Sequence, residues 1–277
     1  MIKAERHEHV KALLDAHGTI SVKEISDALD VSEMTVRRDL EELSASGDVE
    51  RVHGGARRCT SPVHSMLRHE YTHTEKRDKN VAEKAEAACL AAGHIEEGST
   101  IFLGTGTTVE QIIPFLPAGR LRVVTNSINV FNLLVPRESC ELFLTGGAFR
   151  ERTGAFVGPL AENAIAQVGI NAAFVGVNGL LGDDVYTSNM EEGHFQKVAF
   201  DQADSRYVVA DTSKIAVRDF YAFYKLSDID ALICDGGIMP EQRSSVEEFT
   251  RVISPAKAPP ISAPSTLCPA ACEDSCV

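Results

Sequence analysis

Short apolar runs alternate with helical stretches along most of the chain between residues 79 and 253. The strand-like runs are GSTIFLG, RVVTNS, ELFLTGG, AAFVGVNG, SRYVVADTSK and DALICD, and helical patterns lie between most of them. Strand followed by helix, repeated, is typical of a parallel sheet whose faces are covered by helices. The sequence therefore predicts an α/β domain with a mainly parallel sheet over residues 79–253.

Nearly every predicted strand of this domain ends in small or polar residues, and ligands of open α/β sheets bind at those carboxyl ends. The run GTGTT, residues 104–108, lies between a strand and a helix predicted over residues 109–115. Its glycines let backbone amides approach an anion, its threonines add hydroxyl donors, and the following helix adds a favourable dipole. The loop predicts a bound phosphate, with a tight turn that binds nothing as the alternative.

The other strand ends add candidate contacts to the same cleft. Lys214, in the run DTSK, is the strongest second contact for a phosphate or hydroxyl group, although it could be only a surface lysine. No GxxxxGK[ST] lysine follows the glycine loop, which argues against hydrolysis of a nucleoside triphosphate. The predicted contacts to the ligand, called effector contacts below, are Gly104, Thr105, Gly106, Thr107, Thr108, Asn126, Ser127, Gly146, Gly147, Arg152, Asn178, Gly179, Asp211 and Lys214.

Residues 1–58 predict a separate, smaller domain of the winged helix-turn-helix type. A helical pattern over residues 4–17 ends at Gly18, and Ser21 with Glu24 forms a capping box that opens a second helix. Ser32 caps a third helix over residues 33–45, which buries Val36 or Met34. Two short strands, 48–52 and 55–58, then surround His53-Gly54 as a wing.

The third helix of this domain carries the residues predicted to contact DNA. Thr35, Arg37 and Arg38 face outward near its start, the part of a recognition helix that enters the major groove. Arginine can pair with guanine through two hydrogen bonds. Asp39 cannot contact phosphate, so we expect it to pair with an arginine or to fix the helix. The predicted DNA contacts are Ser32, Thr35, Arg37, Arg38, Arg51, His53 and Arg57.

The charge of the chain limits how it can bind DNA. The net charge is −13, and the first 58 residues are also acidic overall. DNA binding requires a local basic face rather than a basic total, and the arginines of this domain cluster in its second half. We therefore expect weak non-specific binding.

Two segments are predicted to lie outside the folded domains: a polar linker over residues 59–78 and a disordered tail, rich in Pro, Ala and Ser, over residues 254–277. Cys268, Cys272 and Cys276 in the tail fit no common zinc spacing, and no metal site is predicted. The sequence contains no apolar run long enough to span a membrane and no signal peptide. A cytoplasmic protein is expected.

Residues 5–57 resemble the N-terminal domain of the DeoR family of sugar-metabolism regulators. The matching residues are Glu5-Arg6, Val31-Ser32, the run from Thr35 to Leu40, Leu43, Gly47 and the run from Arg51 to Ala56. Residues from about 75 to 253 resemble the effector domain of the same family. The resemblance implies a repressor that binds operator DNA and is released by a phosphorylated sugar or polyol, without enzymatic activity or a cofactor. Because a winged helix-turn-helix buries little surface alone, we expect a homo-oligomer on two half-sites.

That effector domain is itself similar to ribose-5-phosphate isomerase, which has a GTGST-like phosphate loop and a D-x-S-K segment. The isomerase carries two aspartates in a DGAD segment, where this chain has Gly176-Val177-Asn178-Gly179, and Gln196 stands in place of its catalytic glutamate. Glutamine cannot take a proton from carbon as a carboxylate does, so the resemblance implies binding without isomerisation. Glu191 and Lys197 are further predicted effector contacts. The alternatives are a sugar-phosphate isomerase-like enzyme with a DNA-binding appendage, and a module that contacts proteins through its helix-turn-helix.

Overall fold

The N-terminal part of the described chain folds as three helices with a small antiparallel sheet. The computed structural model describes residues 3–45, 49–52, 54–58 and 70–255. The strands pair in the order β1-β3-β2, as a winged helix-turn-helix requires. The elements are α1 (Lys3–His17), β1 (Thr19–Ser21), α2 (Val22–Leu29), α3 (Glu33–Ala45), β2 (Val49–Val52) and β3 (Gly55–Arg58).

Local signals explain where these helices begin and end. The Glu24 amide donates to the Ser21 hydroxyl and the Ser21 amide donates to the Glu24 carboxylate, which is the predicted capping box of α2. Gly18 ends α1 with a φ of 71°, a conformation that glycine adopts without steric cost. Val36 takes the core position, since Met34 is 75% exposed. The core consists mainly of Val10, Leu14, Ile25, Val36, Leu40 and Leu43.

The second half of the predicted linker is part of the C-terminal domain. Thr72 and Glu75 form a reciprocal capping box that opens α4 (His73–Arg77). His73 Nε2 lies 2.7 Å from Glu110 Oε1, and Lys76 Nζ donates to Asn178 Oδ1 at 2.9 Å. The linker prediction is therefore wrong from Glu70 onward, because T-x-x-E is a helix-start signal. Residues 59–69 lie outside the described residues.

The C-terminal domain is built on a seven-stranded sheet in the order β15-β14-β12-β9-β4-β5-β6, and every pairing in it is parallel. The chain runs from β4 through β5 to β6 on one side and then returns to β9 on the other. The direction of winding therefore switches between β4 and β9. The strands are β4 (Thr100–Leu103), β5 (Leu121–Thr125), β6 (Cys140–Leu144), β9 (Ile170–Val175), β12 (Ala203–Val209), β14 (Ala231–Ile233) and β15 (Arg251–Ile253).

Both faces of this sheet are buried, which is why its strands are nearly continuous apolar runs. Phe102 and Val208 pack in one core, while their neighbours Ile101 and Val209 pack in the other. Helix α9 contributes to the first core and helix α5 to the second. The helices of this domain are α5 (Val81–Ala92), α6 (Thr107–Glu110), α7 (Ile128–Leu134), α8 (Pro159–Ile165), α9 (Met190–Asp201) and α10 (Pro240–Glu247).

Helix α6 is much shorter than the helix predicted over residues 109–115. It begins at Thr107, ends at Glu110, and is followed by a 3-10 turn over Ile113–Phe115. Pro114 explains the break, because proline has no amide hydrogen and its ring clashes with the carbonyl of Glu110, four residues earlier, so the helical hydrogen bond cannot form. A single helical turn has little macrodipole, so the dipole expected from the sequence contributes little at the glycine loop.

Two small antiparallel sheets, not predicted from the sequence, complete the domain. Strands β7 (Ala148–Arg150) and β8 (Ala155–Val157) form a hairpin, and β10 (Gly179–Leu181), β11 (Asp184–Thr187) and β13 (Tyr221–Lys225) form a three-stranded sheet. Within the described residues no helix is both long and apolar enough to cross a membrane. The tail beyond residue 255, with its three cysteines, lies outside the described part of the chain.

Candidate functional site

The outward face of α3 presents the side chains predicted to contact DNA. Ser32 caps the helix, because its hydroxyl accepts from the Thr35 amide at 3.2 Å. Arg37 and Arg38 are exposed, and Arg37 Nη2 lies 3.3 Å from Glu33 Oε2 one turn earlier. Exposed pairs contribute only about 0–1 kcal/mol, so Arg37 can leave Glu33 for a phosphate or base at little cost.

Asp39, on the same helix, faces the domain interior and is 2% exposed. It accepts from Arg6 Nε at 2.5 Å and Arg6 Nη2 at 2.9 Å, and His7 Nε2 lies 3.2 Å from it. Burial alone would raise the pKa of Asp39, but the hydrogen bonds from Arg6 and His7 outweigh burial, and the pKa lies below its ordinary value. The pairing with an arginine expected for Asp39 is present, and it fixes α3 against α1.

The wing arginines have acidic partners within the domain. Arg51 Nη1 lies 3.1 Å from Glu41 Oε1 on α3, and Arg57 makes two hydrogen bonds with Glu50, at 2.8 and 3.0 Å. Both arginines are nevertheless exposed, so they remain able to exchange these partners for phosphates. His53, the other predicted contact of the wing, lies outside the described residues.

A cavity of about 200 Å³ lies at the carboxyl ends of β4, β9 and β12. The winding of the sheet switches between β4 and β9, which is where open α/β sheets bind ligands. Helix α4, the residues just before it and the inner side of α9 complete the walls. The predicted effector contacts that line the cavity are Thr105, Gly106, Thr107, Thr108, Asn178, Asp211 and Lys214.

The loop after β4 is held tightly against β9. The Gly104 amide donates to the Phe174 carbonyl at 3.0 Å, and a Cβ atom on Gly106 would lie 3.9 Å from Gly176 Cα. Gly106 has a φ of 145°, which side chains disfavour, so glycine is required there for its backbone. Thr107 and Thr108 are polar but buried. The loop thus offers hydroxyl and amide groups to the cavity that it lines.

Four lysines, Lys76, Lys79, Lys84 and Lys214, bring positive charge to the same cavity, and four carboxylates, Glu70, Glu192, Asp211 and Asp219, also line it. Lys84 is only 4% exposed, and its Nζ donates to the Lys76 carbonyl at 2.5 Å. Burial lowers the pKa of both Lys76 and Lys84, and it outweighs the carboxylates of Glu192 near Lys76 and of Asp211 near Lys84, which act in the opposite direction. Ammonium groups form strong, charge-assisted hydrogen bonds with phosphate oxygens. The four lysines are therefore suited to contact an anionic group of a ligand.

Arg150 joins two carboxylates along one wall of the cavity. Its Nη1 lies 2.9 Å from Glu70 Oε1 and 2.5 Å from Glu192 Oε1, and its Nη2 lies 3.0 Å from Glu70 Oε2. Hydrogen bonding to Glu70 raises the pKa of Arg150. Burial alone would raise the pKa of Glu70, but Arg150 outweighs burial and lowers it. This network ties the segment before α4 to the β7–β8 hairpin and to α9.

Comparison with known proteins identifies both parts of the chain. Residues 6–62 match the DeoR-like helix-turn-helix domain, and residues 79–236 match the DeoR C terminal sensor domain. The lactose phosphotransferase system repressor of Streptococcus mutans is 40% identical over 85% of this chain and 93% of the relative. The chain belongs to the DeoR family. It is a DNA-binding transcriptional regulator with a C-terminal sensor domain.

Other similar proteins include one relative and one solved structure. The lactose phosphotransferase system repressor of Lactococcus lactis subsp. lactis is 38% identical to this DeoR-family chain, over 91% of the chain and 99% of the relative. The structure of ribose 5-phosphate isomerase A from Methanocaldococcus jannaschii covers 49% of this chain and 55% of its own, at 18% identity and a TM-score of 0.36. That likeness assigns no residue a role.

Several predicted effector contacts do not line the cavity of this DeoR-family sensor domain. Asn126 lies beneath the glycine loop, where it accepts from the Thr105 hydroxyl at 3.2 Å and donates to the Phe156 carbonyl at 3.1 Å. Ser127 caps α7, and Arg152 is exposed and donates to the Glu70 carbonyl. These three residues support the walls. Gly104, Gly146, Gly147 and Gly179 also lie outside the lining.

Glu191 and Lys197 lie on the wrong side of α9 for contact with the cavity. Both are exposed, and Lys197 Nζ pairs with Asp201 Oδ2 at 2.7 Å. Glu192 and Gln196, four residues apart on the buried side, line the cavity instead. Adjacent helical residues point about 100° apart, and the sequence alone did not fix the rotation of α9 about its axis.

Lys84 is a site residue that the sequence analysis missed, although a signal for it was present. It shares helical spacing with Ala87, Ala88, Ala91 and Ala92, which form the buried stripe of α5. A lysine in a core stripe is rare unless it is paired or serves a ligand. Glu70, His73 and Lys76 were missed because they lie in the segment taken as linker.

Proposed function

We propose that this chain represses a carbohydrate-utilisation operon and is released from its operator by a phosphorylated sugar or polyol. The observation that carries the proposal is a cavity that combines four lysines with a donor-rich loop and carboxylates. Ammonium, amide and hydroxyl groups suit a phosphate, and carboxylates accept hydrogen bonds from sugar hydroxyls. The relatives are named lactose phosphotransferase system repressors. We extend to this chain the role of repressor of a sugar-utilisation system.

Release from DNA provides the test. A labelled operator duplex, selected by the protein from a genomic library, is titrated with hexose 6-phosphates, pentose 5-phosphates and polyol phosphates. At least one of these compounds should release wild-type protein. Lys84→Met should bind DNA normally but require about tenfold or more of the same compound, since it loses a charge-assisted contact. Lys197→Met, on the exposed side of α9, is the matched control and should respond like wild type.

Two results would reject the proposal. If none of the phosphorylated compounds releases wild-type protein, the effector class is wrong. If Lys84→Met is released at the wild-type concentration, the effector binds elsewhere.

We further propose that the cavity binds its ligand without turning it over. Glu192 is engaged by Arg150 and by the Thr153 hydroxyl, each at 2.5 Å, and Gln196 has no acid–base function. Overnight incubation of the protein with ribose 5-phosphate and hexose 6-phosphates, followed by NMR, should show the starting compounds only. A new sugar phosphate would favour the isomerase-like alternative.

The proposed repressor acts as at least a homodimer. Residues 3–58 offer one recognition helix and one wing, which together match a single half-site. We expect a palindromic operator and a mass in solution of two chains or more, measured by light scattering. A monomer that binds one half-site tightly would contradict this proposal.

A further inference from the structure

We propose that Gln196 and Asp211 are specificity-determining residues that accept hydrogen bonds from two hydroxyl groups of the effector. The proposal rests on the proposed function, because it concerns the ligand of the same cavity. It states what the ligand must present besides its phosphate.

The supporting observation is a pair of unpartnered acceptors. Among the described residues, Gln196 Oε1 and Asp211 Oδ2 are the buried side-chain oxygen or nitrogen atoms that lack a hydrogen-bond partner. Gln196 is 4% exposed and Asp211 is 1% exposed, and both line the cavity. Buried polar atoms are nearly always hydrogen-bonded in native proteins. Two exceptions in one cavity indicate that a ligand supplies the missing donors.

Asp211 is half satisfied by the protein. Its Oδ1 accepts from Asn80 Nδ2 at 2.9 Å, from the Ser213 amide at 3.1 Å and from the Ser213 hydroxyl. These bonds fix the carboxylate in one orientation, with Oδ2 left for another partner. A rigidly held acceptor recognises a donor at one position, which is what selection for a particular hydroxyl requires.

Gln196 contrasts with the other polar residue on the same side of α9. Glu192 receives hydrogen bonds from Arg150 and Thr153, whereas Gln196 Oε1 receives none. Since the buried side of α9 also carries Phe195, Ala199 and Phe200, an apolar residue would fit there. A carboxamide at this position therefore needs a polar ligand to offset its loss of water.

Asp211 also defines which way the ligand lies. A phosphate is repelled by the Asp211 carboxylate and favoured by the amide and hydroxyl donors of the loop after β4. Strand β9 separates β4 from β12, so the loop and Asp211 lie two strand spacings apart, about 10 Å. A ligand whose phosphate lies at the loop must therefore present a hydroxyl group about 10 Å away, at Asp211.

Calorimetric titration of three full-length variants tests this assignment. The probes are inorganic phosphate and the panel of hexose 6-phosphates and pentose 5-phosphates, and the tightest sugar phosphate for wild type is used throughout. Gln196→Met should weaken binding of the sugar phosphate by about tenfold and leave the affinity for inorganic phosphate unchanged. Asp211→Asn should weaken binding of the sugar phosphate by more than tenfold. It should bind inorganic phosphate more tightly, because a negative charge is removed. Lys197→Met should change neither.

Thermal unfolding without ligand distinguishes an unpartnered amide from a structural one. Gln196→Met should keep or raise the unfolding midpoint, because it removes an unsatisfied buried acceptor. Asn126→Leu, which removes a buried amide bonded to Thr105 and Phe156, should lower it.

The inference fails if Gln196→Met lowers the midpoint as Asn126→Leu does, or if Gln196→Met and Asp211→Asn both bind the sugar phosphate like wild type. It also fails if Asp211→Asn weakens both probes alike. If wild-type protein binds no sugar phosphate at all, both the inference and the proposed function fail. The absence of binding by wild-type protein distinguishes this outcome from the others, in which only the inference fails.

Discussion

Asp39→Ala should destabilise the DNA-binding domain while leaving the sensor domain intact. Breaking a fully buried ion pair costs about 3–5 kcal/mol, and an exposed pair contributes about 0–1 kcal/mol. Asp39 is 2% exposed but the Arg6 side chain is 14% exposed, so we expect a loss of about 2–3 kcal/mol. A domain the size of residues 3–58 has a total free energy of unfolding of about 3–8 kcal/mol. The substitution therefore removes roughly a quarter or more of that stability.

The distribution of aromatic residues makes the two domains separately observable. The first 58 residues contain no Tyr, Trp or Phe, and the first tyrosine of the chain is Tyr71. Tyrosine fluorescence therefore reports unfolding of the sensor domain, and circular dichroism at 222 nm reports helices of both. Asp39→Ala should lower the midpoint of the N-terminal transition by about 15–25 °C. The tyrosine transition should not move, and operator affinity should fall.

A double-mutant cycle isolates the ion pair from other effects of the substitution. Arg6→Met with Asp39→Leu replaces the pair by apolar residues and should regain much of the lost stability. The pKa of Asp39 is lower in the folded state, so the pair stabilises the fold above the unfolded-state pKa, about 3.9. This contribution should be lost as the pH falls through the folded-state pKa. An unchanged N-terminal midpoint and unchanged operator affinity in Asp39→Ala would refute the reasoning.

Three further outcomes are expected. Arg37→Ala or Arg38→Ala should weaken operator binding by about 1–3 kcal/mol if that arginine contacts a guanine, with both unfolding transitions unchanged; equal gel-shift affinity would reject the contact. Gly106→Ala should cost about 1–3 kcal/mol in sensor-domain stability, measured by urea denaturation, because a side chain strains the φ of 145°; a wild-type midpoint would contradict this. Arg150→Met should make the sensor domain less stable at neutral pH, since Glu70 and Glu192 lose their shared cation. Because Arg150 lowers the pKa of Glu70, the deficit should shrink as the pH falls and Glu70 is protonated.

Local patterns in the sequence were sufficient to predict the DNA-binding domain. The boundaries of α3 match the prediction, Ser21 and Glu24 cap α2 as expected, and the wing strands form within one residue of their predicted positions. These features depend on contacts between residues three or four apart, or across a tight turn. Such contacts leave a direct signature in the order of residues.

The sensor domain was predictable as a parallel sheet but not in its details. Buried strands are visible as apolar runs, whereas β7 and β10, each three residues long, leave too short a pattern. Side-chain direction was harder still. Glu192 rather than Glu191 faces the cavity, because packing of α9 against the sheet fixes its rotation, and that packing involves strands distant in sequence.

Residues from separate elements formed the part of the site that the sequence analysis missed. Lys84 was missed; it lies more than 100 positions before the predicted contact Asp211, and the packing of α5 against β12 brings both residues to one cavity. The capping box of Thr72 and Glu75 is a local signal in the sequence, and it predicts the start of α4 correctly. Its omission concealed Lys76.

The placement of α4 has a thermodynamic consequence for regulation. Tyr71, His73 and Lys76 line the cavity only a few positions after residues 59–69, which lead back to the wing. A compound that contacts Lys76 acts on the part of the sensor domain nearest in sequence to the DNA-binding domain. If it weakens operator affinity by some factor, the operator must weaken its affinity by the same factor, because the two equilibria form a closed cycle. Titrating effector onto the protein–DNA complex and onto free protein therefore measures the regulatory coupling energy without any assay of transcription.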